Sequence, residues 1–128
     1  MDKISPRQSG ILLHPTALPG PYGIGEIGLE AYKFIDSLFE MGQSIWQILP
    51  LGPTDFRHSP YSSISTFSGN HLLISLDLLA EEGLIAPDEL TRHPEFDSGK
   101  VLFDEVTWYK MAILNKVCQK KLNKLKLY

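Results

Sequence analysis

The sequence predicts an α/β fold that begins with two parallel strands joined by a helix. Two short apolar runs, residues 10–14 (GILLH) and 45–49 (IWQIL), are bounded by proline and glycine, as strands buried on both faces are. Between them, residues 29–39 carry apolar side chains at helical spacing. Strand, helix and strand form a βαβ unit, whose strands run parallel through a right-handed crossover.

A loop rich in proline and glycine follows the first strand. Residues 15–28 contain three prolines and four glycines, which exclude a regular element. Residues 23–28 read GIGEIG and match the glycine pattern of dinucleotide sites. In such sites the glycines follow the strand directly, whereas eight residues separate His14 from Gly23 here. We therefore expect a loop folded back on itself and no nucleotide cofactor.

The helix predicted after this loop has an apolar side and a polar side. Its apolar stripe consists of Leu29, Tyr32, Ile35, Leu38 and Phe39. Gly42 stands where a helix C-terminal glycine belongs. In the second strand, Trp46 is most simply a core residue.

Downstream of residue 70 the sequence predicts short elements and then one long helix. Residues 71–76 read as a short extended piece, and Asp77 is a natural N-cap for a helix over 78–82 that Gly83 ends. Pro87 suits the first position of another helical turn. A long helix starts at Phe103. Its apolar stripe is Val106, Tyr109, Ile113 and Val117, and its charged stripe is Lys116, Lys120 and Lys124.

Charge and composition limit the classes of function. The 128 residues are 43% hydrophobic and 21% charged, which is typical of one globular domain or less. Up to Tyr109 the chain has six basic and fifteen acidic residues, which argues against a nucleic-acid surface. The sequence shows neither the apolar core of a signal peptide nor a run long enough to span a membrane. The single cysteine, Cys118, fits a reducing compartment, so we expect the cytoplasm.

Metal and triad chemistry have weak support in the sequence. The histidines at positions 14, 58, 71 and 93 show no paired spacing for zinc. Asp55, His58 and Ser59 include the side-chain types of a hydrolytic triad. However, adjacency in sequence does not supply the relay geometry, and no nucleophile-elbow pattern surrounds Ser59. We therefore assign no metal ligand, no cofactor ligand and no catalytic residue.

The segment after the second strand, residues 50–70, is rich in hydroxyl groups. It also carries the aromatics Phe56, Tyr61 and Phe67, and Pro53 and Pro60 stiffen it. Short polar groups can bind sugar hydroxyls, and an aromatic ring can pack on the apolar face of a pyranose. The composition is therefore compatible with a carbohydrate surface, although an ordinary polar loop explains it more simply.

Four segments of the sequence carry specific wording: residues 9–28 (SGILLHPTALPGPYGIGEIG), 46–54 (WQILPLGPT), 59–61 (SPY) and 67–84 (FSGNHLLISLDLLAEEGL). Together and in this order they closely resemble 4-alpha-glucanotransferases, also called amylomaltases or disproportionating enzymes. The resemblance covers roughly residues 9–85 and fades beyond about Pro87. It implies the N-terminal part of a (β/α)8 TIM-type barrel with a peripheral helical segment.

The resemblance also implies roles for three residues. Ser59 and Tyr61 match the Ser and Tyr that line the family's glucan cleft beside the scissile bond. Phe56 matches, less closely, an aromatic residue of a second glucan-binding surface. This chain departs from the family pattern in the same loop, where Arg57 and His58 replace Gly-Asp and Ser62 replaces Gln. Further departures are Ala17, Ser68 and His71, in place of Ser, Ala and Pro.

The implied reaction is the transfer of a segment of a 1,4-alpha-D-glucan to the 4-position of an acceptor glucan or glucose. With retention it needs two carboxyl groups about 5 Å apart, which in the family come from later barrel strands. Asp55, Glu26 and Asp77 are better explained as turn, helix-start and cap residues. We therefore expect an N-terminal fragment that lacks the catalytic carboxylates and is inactive alone.

The resemblance also implies a division of the chain into two segments and two kinds of binding partner. Residues 1–85 are expected to form the first βαβ part of the barrel with a substrate loop over 50–70, and residues 86–128 a helical segment or peripheral subdomain. The expected partners are alpha-1,4-glucans and maltooligosaccharides, and the remainder of the enzyme as a second chain that covers exposed sheet edges. The alternative is a non-catalytic maltooligosaccharide-binding or structural fragment that needs a partner chain.

Overall fold

The computed structural model describes the backbone of residues 7–125 and the side chains of residues 7–123. The chain order is strand β1 (Gly10–Leu12), helix α1 (Leu29–Glu40), strand β2 (Ile45–Gln47) and the helices α2 (Leu76–Glu81), α3 (Pro87–Thr91) and α4 (Phe103–Leu125). Two single 3-10 turns, Pro15–Ala17 and His71–Leu73, lie in the connections. The predicted order of strand, helix and strand is confirmed.

Strands β1 and β2 pair in parallel. Ile11 lies opposite Trp46, and Gly10 lies opposite Ile45. Both strands are shorter than the apolar runs that predicted them. The ladder stops early because His14 turns away to cap the first 3-10 turn, where its ring accepts a hydrogen bond from the backbone N–H of Thr16.

The strands are not buried on both faces, so this part of the prediction is wrong for the isolated chain. Ile11, Leu12 and Ile45 are all exposed. The reason is physical: the described chain supplies two strands and one covering helix, and nothing packs on the remaining faces. The same observation agrees with the expectation of uncovered sheet surfaces.

Helix α1 buries only one residue of the predicted apolar stripe, Leu38, and it contacts β2 through Phe34, which lies outside that stripe. Its buried residues are Ala31 and Leu38, and the ring of Phe34 meets the Trp46 ring edge-on at 5.0 Å. Trp46 is half-buried and donates its indole N–H to the Leu13 carbonyl at 2.8 Å. Four residues of the predicted stripe lie exposed: Leu29, Tyr32, Ile35 and Phe39.

The end of helix α1 is as predicted. Gly42 adopts a positive φ of 70°, and its N–H donates to the Phe39 carbonyl at 2.9 Å. The next N–H, from Gln43, donates to the Leu38 carbonyl at 2.8 Å. A residue without Cβ takes this left-handed conformation at little cost, so the glycine ends the helix and starts the connection to β2.

Among the short elements that follow residue 70, two predictions are wrong. Residues 71–73 form a 3-10 turn and not an extended piece, since the Asn70 side chain caps it at the N–H of Leu72. Helix α2 begins at Leu76 with Ser75 as its N-cap. Asp77 lies inside the helix and binds Tyr22 instead. Pro87 opens α3, as predicted.

The largest core cluster surrounds helix α4, whose predicted start at Phe103 and apolar stripe are confirmed. The cluster contains Tyr22, Leu76, Ile85, Leu90, Tyr109, Ile113, Leu114 and Val117. It thus joins residues from both of the predicted segments. Of the predicted charged stripe, the side chain of Lys124 lies outside the described residues, as do residues 1–6 and 126–128 of the two segments.

No helix within residues 7–125 combines the length and the apolar composition that a bilayer span requires.

Candidate functional site

The loop after β2 folds into a small hairpin. Thr54 and Ser63 form an isolated antiparallel bridge, and the Asp55 N–H donates to the Ser62 carbonyl at 2.9 Å. At its base the Ile64 N–H donates to the Pro53 carbonyl at 3.0 Å. We call residues 53–64 the hairpin. It is therefore an ordered element of the loop 50–70 that follows the C-terminal end of β2.

Hydroxyl groups brace the second half of the loop. Ser63 donates to the Ser65 carbonyl at 2.6 Å, and the hydroxyls of Ser65 and Ser68 lie 2.9 Å apart. The Ser63 hydroxyl also lies where a Cβ on Gly52 would be, at 2.4 Å, so that position suits glycine. Some hydroxyls that suggested a sugar surface are thus engaged in holding the loop.

Tyr61 and Phe67 face an open groove. The groove has a volume of about 560 Å³. Its lining consists of residues 50–52, 60, 61, 63 and 65–69, none of which carries a charged side chain. Tyr61 is 75% exposed and Phe67 98% exposed. Two aromatic rings on the walls of a groove edged by serine and threonine hydroxyls form the combination that suits a sugar ring.

The three predicted site residues lie on one hairpin but not in one groove. Ser59 sits in the turn before Tyr61, where its hydroxyl accepts the Tyr61 N–H at 3.4 Å. Ser59 is half-buried, and Phe56 is 86% exposed at the hairpin. Tyr61 lines the groove, whereas Ser59 and Phe56 do not. Phe67 also lines the groove but was not among the predicted site residues. It could have been predicted, because it is an aromatic residue of the same loop.

Arg57 neutralises the carboxylate of the hairpin. Its guanidinium donates to Oδ2 of Asp55 at 2.9 Å and 2.6 Å, and its backbone N–H donates to Oδ1 at 2.9 Å. These hydrogen bonds lower the pKa of Asp55. The guanidinium carbon also lies 5.6 Å from the Phe56 ring centroid. Asp55 is therefore an ionised turn residue, as the sequence predicted, and a poor proton donor.

Glu26 is a buried ion-pair residue, so its prediction as a helix-start residue is wrong. Its carboxylate accepts from the ammonium of Lys110 and, at 3.1 Å, from the Leu76 N–H. The fully buried Lys110 also donates to the carbonyls of Leu72 and Ile74, at 2.8 Å and 2.7 Å. Burial raises the pKa of Glu26 and lowers that of Lys110, and their attraction opposes both shifts.

Asp77 is likewise occupied by a structural contact. The hydroxyl of Tyr22 donates to its carboxylate at 2.5 Å. Burial, followed by this hydrogen bond, raises the pKa of Tyr22. The three acidic residues considered as catalytic candidates, Asp55, Glu26 and Asp77, therefore each have a structural partner. None of these three contacts presents a free pair of carboxyl groups to the groove.

Close packing accounts for the glycine pattern at residues 23–28. A Cβ on Gly25 would lie 2.0 Å from the Pro15 carbonyl oxygen, so the loop can approach the first 3-10 turn only with glycine there. A Cβ on Gly28 would meet the Ser75 hydroxyl at 2.5 Å.

Within residues 7–125, no group of three or more His, Cys, Asp or Glu side chains could hold a metal ion.

His71 and His14 take structural positions. His71 starts the second 3-10 turn. Its pKa is lowered mainly by burial and, to a smaller extent, by the positive charge of Lys110. Its Nε2 is buried without a hydrogen-bond partner in the described part of the chain. His14 contacts the Thr16 hydroxyl at 2.8 Å and the Pro50 carbonyl at 3.3 Å. The second contact ties the start of the loop 50–70 to the end of β1.

Comparisons with known proteins point to one family. The sequence profile of the 4-alpha-glucanotransferase family matches residues 13–127. The 4-alpha-glucanotransferase of Synechocystis is 51% identical over 110 residues, covering 86% of this chain and 22% of that protein. That of Aquifex aeolicus is 51% identical over 112 residues, again covering 86% and 22%. An amylomaltase from Streptococcus agalactiae, solved in complex with acarbose, superposes with a TM-score of 0.87 at 42% identity, covering 92% of this chain and 24% of that one.

These matches correct one prediction from the sequence. The resemblance does not fade beyond Pro87, because the family profile extends to residue 127. The helical segment therefore belongs to the shared fold, in agreement with the burial of α4 against Tyr22 and Leu76. The chain spans about a fifth of the length of the two curated relatives, 22% in each case.

Proposed function

The chain belongs to the 4-alpha-glucanotransferase family, and from this premise we propose that it is the N-terminal portion of such an enzyme. The whole enzyme would transfer a segment of a 1,4-alpha-D-glucan to the 4-position of an acceptor glucan or glucose, with retention. The observation that carries the proposal is a groove lined by Tyr61 and Phe67 in a chain that matches the family over residues 13–127.

The proposed setting of this groove is the mouth of a (β/α)8 barrel. Parallel pairing of β1 and β2 across helix α1 is the repeating unit of that barrel. Substrate sites in such barrels lie on the loops after the C-terminal ends of the strands. The loop 50–70 follows the C-terminal end of β2, so it occupies that position.

We assign Ser59, Tyr61 and Phe56 as glucan contacts. Tyr61 presents an exposed ring that can pack on a pyranose face, and Ser59 lies two residues before it in the same turn. Phe56, on the hairpin but outside the groove, suits a second and separate glucan contact. The similarity to an amylomaltase solved with acarbose supports a glucan or maltooligosaccharide as the ligand class.

The carboxyl pair is proposed to come from polypeptide outside these residues. A retaining reaction needs two carboxyl groups about 5 Å apart, and Asp55, Glu26 and Asp77 are bound to Arg57, Lys110 and Tyr22. We therefore propose that the chain binds glucan and that transfer requires the remainder of the enzyme. That remainder would also cover the exposed side chains of Ile11, Ile35 and Phe39.

We propose the cytoplasm as the compartment, since Cys118 is the one cysteine of the sequence.

Titration of the 128-residue chain with maltoheptaose tests the binding part of this proposal. We expect two-dimensional NMR spectra to show shifts concentrated on the backbone amides of residues 50–70. The Tyr61→Ala variant should weaken binding by about tenfold, because a stacked aromatic ring contributes about 1 kcal/mol beyond its buried area and truncation also removes that area.

Tyr32→Ala is the matched control, since Tyr32 is an exposed tyrosine on α1, away from the groove. It should bind maltoheptaose as the unaltered chain does. Shifts spread over α1 and α4 in place of the loop, or equal affinities for Tyr61→Ala and the unaltered chain, would refute the assignment. A chain that binds no maltoheptaose, and is folded only with a second polypeptide, would favour the structural alternative.

A further inference from the structure

One contact joins the hairpin to helix α4. The imidazole of His58 stacks on the ring of Phe103, the first residue of α4, with centroids 4.5 Å apart and planes inclined by 7°. The carboxylate of Asp104 lies 3.7 Å from Nε2 of the same imidazole. Because Asp104 is fully exposed, that charge contact contributes little, and the ring stack is the main interaction.

The backbone at His58 is shaped for this contact. His58 is the one residue other than glycine with a positive φ, 54°, among residues 7–125. Histidine is one of the few side chains enriched in that conformation. The His58 N–H donates to the Asp55 carbonyl at 3.0 Å, which closes a turn inside the hairpin. An uncommon backbone conformation held by its surroundings is a reason to look for a function.

Phe103 extends the contact into the core. It packs against the buried cluster of Ile24, Leu72 and Val106. The Leu72 carbonyl in turn accepts a hydrogen bond from Lys110. The hairpin is thereby connected, through two stacked rings, to the part of the molecule in which the side chains are best buried.

We propose that His58 and Phe103 are positioning residues that hold the hairpin, and with it Ser59 and Tyr61, in the orientation that binds glucan. The inference rests on the proposed function, because it concerns the same loop. His58 immediately precedes Ser59 and lies three residues before Tyr61. A hairpin released from α4 keeps its internal hydrogen bonds but samples several orientations, and only a fraction of molecules is then competent to bind.

The test uses the 128-residue chain and two measurements, the first on every variant that retains His58 and the second on all variants. The first is the ring-current shift of the His58 ring protons, and the second is the dissociation constant for maltoheptaose. In Phe103→Ala we expect the ring-current shift to disappear and the dissociation constant to rise about three- to tenfold, the range expected for loss of one ring pair. Phe103→Trp should restore both values.

Trp108→Ala is the matched control, because Trp108 is an exposed aromatic residue on the same helix. It should change neither value. If Phe103→Ala fails to fold, His58→Gly removes the stack from the other side, and glycine adopts a φ of 54° without strain. His58→Gly should then show the same three- to tenfold rise, in the range set by one ring pair.

The outcomes separate this inference from the proposed function. An unaltered chain that binds no maltoheptaose overturns the proposed function and the positioning role together. Normal affinity in folded Phe103→Ala or His58→Gly overturns the positioning role alone. Equal losses in Trp108→Ala and Phe103→Ala would show a general effect on α4 and would also overturn it.

Discussion

The two sides of the chain differ in how completely their apolar side chains are covered. On the side of α2, α3 and α4, which we call the closed side, Leu76, Ile85 and Ile113 are buried in one cluster. On the side of β1, β2 and α1, the open side, Ile11, Ile35 and Phe39 are exposed. Apolar side chains of the same kind, such as isoleucine, are thus buried on one side and exposed on the other.

The difference shows which part of the fold is self-sufficient. The closed side contains its own helices, a buried ion pair and a side-chain cap at the start of α2, so its apolar cluster is covered within the described chain. The open side has two strands, whose faces need further layers. The loop 50–70 lies between the two: it starts from β2 and contacts α4 through His58.

The largest loss of stability is expected when the buried ion pair of the closed side is broken. Lys110→Ala leaves the buried carboxylate of Glu26 without its cation and two carbonyls without a donor. Such a loss costs about 3–5 kcal/mol of the free energy of unfolding. Urea unfolding followed by circular dichroism measures it.

Two further variants sharpen that measurement. Lys116→Ala, an exposed lysine on the same helix, should leave the unfolding midpoint unchanged. The double variant Lys110→Met, Glu26→Gln removes both charges and should recover part of the loss, since no unpaired buried charge remains. A Lys110→Ala chain as stable as the Lys116→Ala chain would show that the pair is not a main support of the closed side.

A smaller effect is expected at the contact between Tyr22 and Asp77. Tyr22→Phe removes the 2.5 Å hydrogen bond to a carboxylate and should cost about 1.5–3 kcal/mol of the free energy of unfolding. Tyr32→Phe, on the open side, is the control and should change little, because Tyr32 is exposed. Comparison of thermal melting curves at neutral pH gives both values.

The same tyrosine predicts a dependence on alkaline pH. Burial and the Asp77 hydrogen bond raise the pKa of Tyr22 in the folded state. Above about pH 10 the unfolded chain therefore releases a proton that the folded chain retains, and stability falls as pH rises. The difference in stability between the unaltered chain and Tyr22→Phe should shrink in that range. A difference that stays constant from pH 8 to about pH 11 would contradict the assigned cause.

The smallest expected effect is on the open side. Phe39→Ser replaces a largely exposed ring, so the free energy of unfolding should change by no more than about 0.5 kcal/mol. Self-association, measured by light scattering, should decrease because the uncovered apolar surface is smaller. Ile113→Ser on the closed side should instead lower stability clearly. Equal losses in these two variants would remove the distinction between the sides.

Local sequence signals predicted the parts of the fold that depend on local physics. Gly42 ends α1, Pro87 opens α3 and the apolar stripe of α4 is buried, all as their residue types indicated. The burial of the strands was not predictable in the same way. Ile11 and Ile45 read as core residues because apolar runs do, but burial depends on the polypeptide that packs against them.

The buried ion pair shows what the sequence could and could not reveal. Lys110 lies four residues after Val106, so helical spacing places it on the apolar face of α4, which was an available signal. Its partner, Glu26, is 84 residues away in the chain, and no local pattern joins them. For the site, the aromatic residues of the loop were readable, whereas the stack of His58 on Phe103 required the three-dimensional arrangement.

The most direct test of the central claim, that this chain supplies the glucan-binding loop of a 4-alpha-glucanotransferase, uses a chimera. The matched 112 residues of the Aquifex aeolicus enzyme are replaced by those of this chain, and glucose release from maltotriose is measured. We predict glucose and longer maltooligosaccharides, at a rate that falls in Tyr61→Ala and stays unchanged in Tyr32→Ala. A folded chimera that releases no glucose, or one in which Tyr61→Ala has no effect, would contradict the claim.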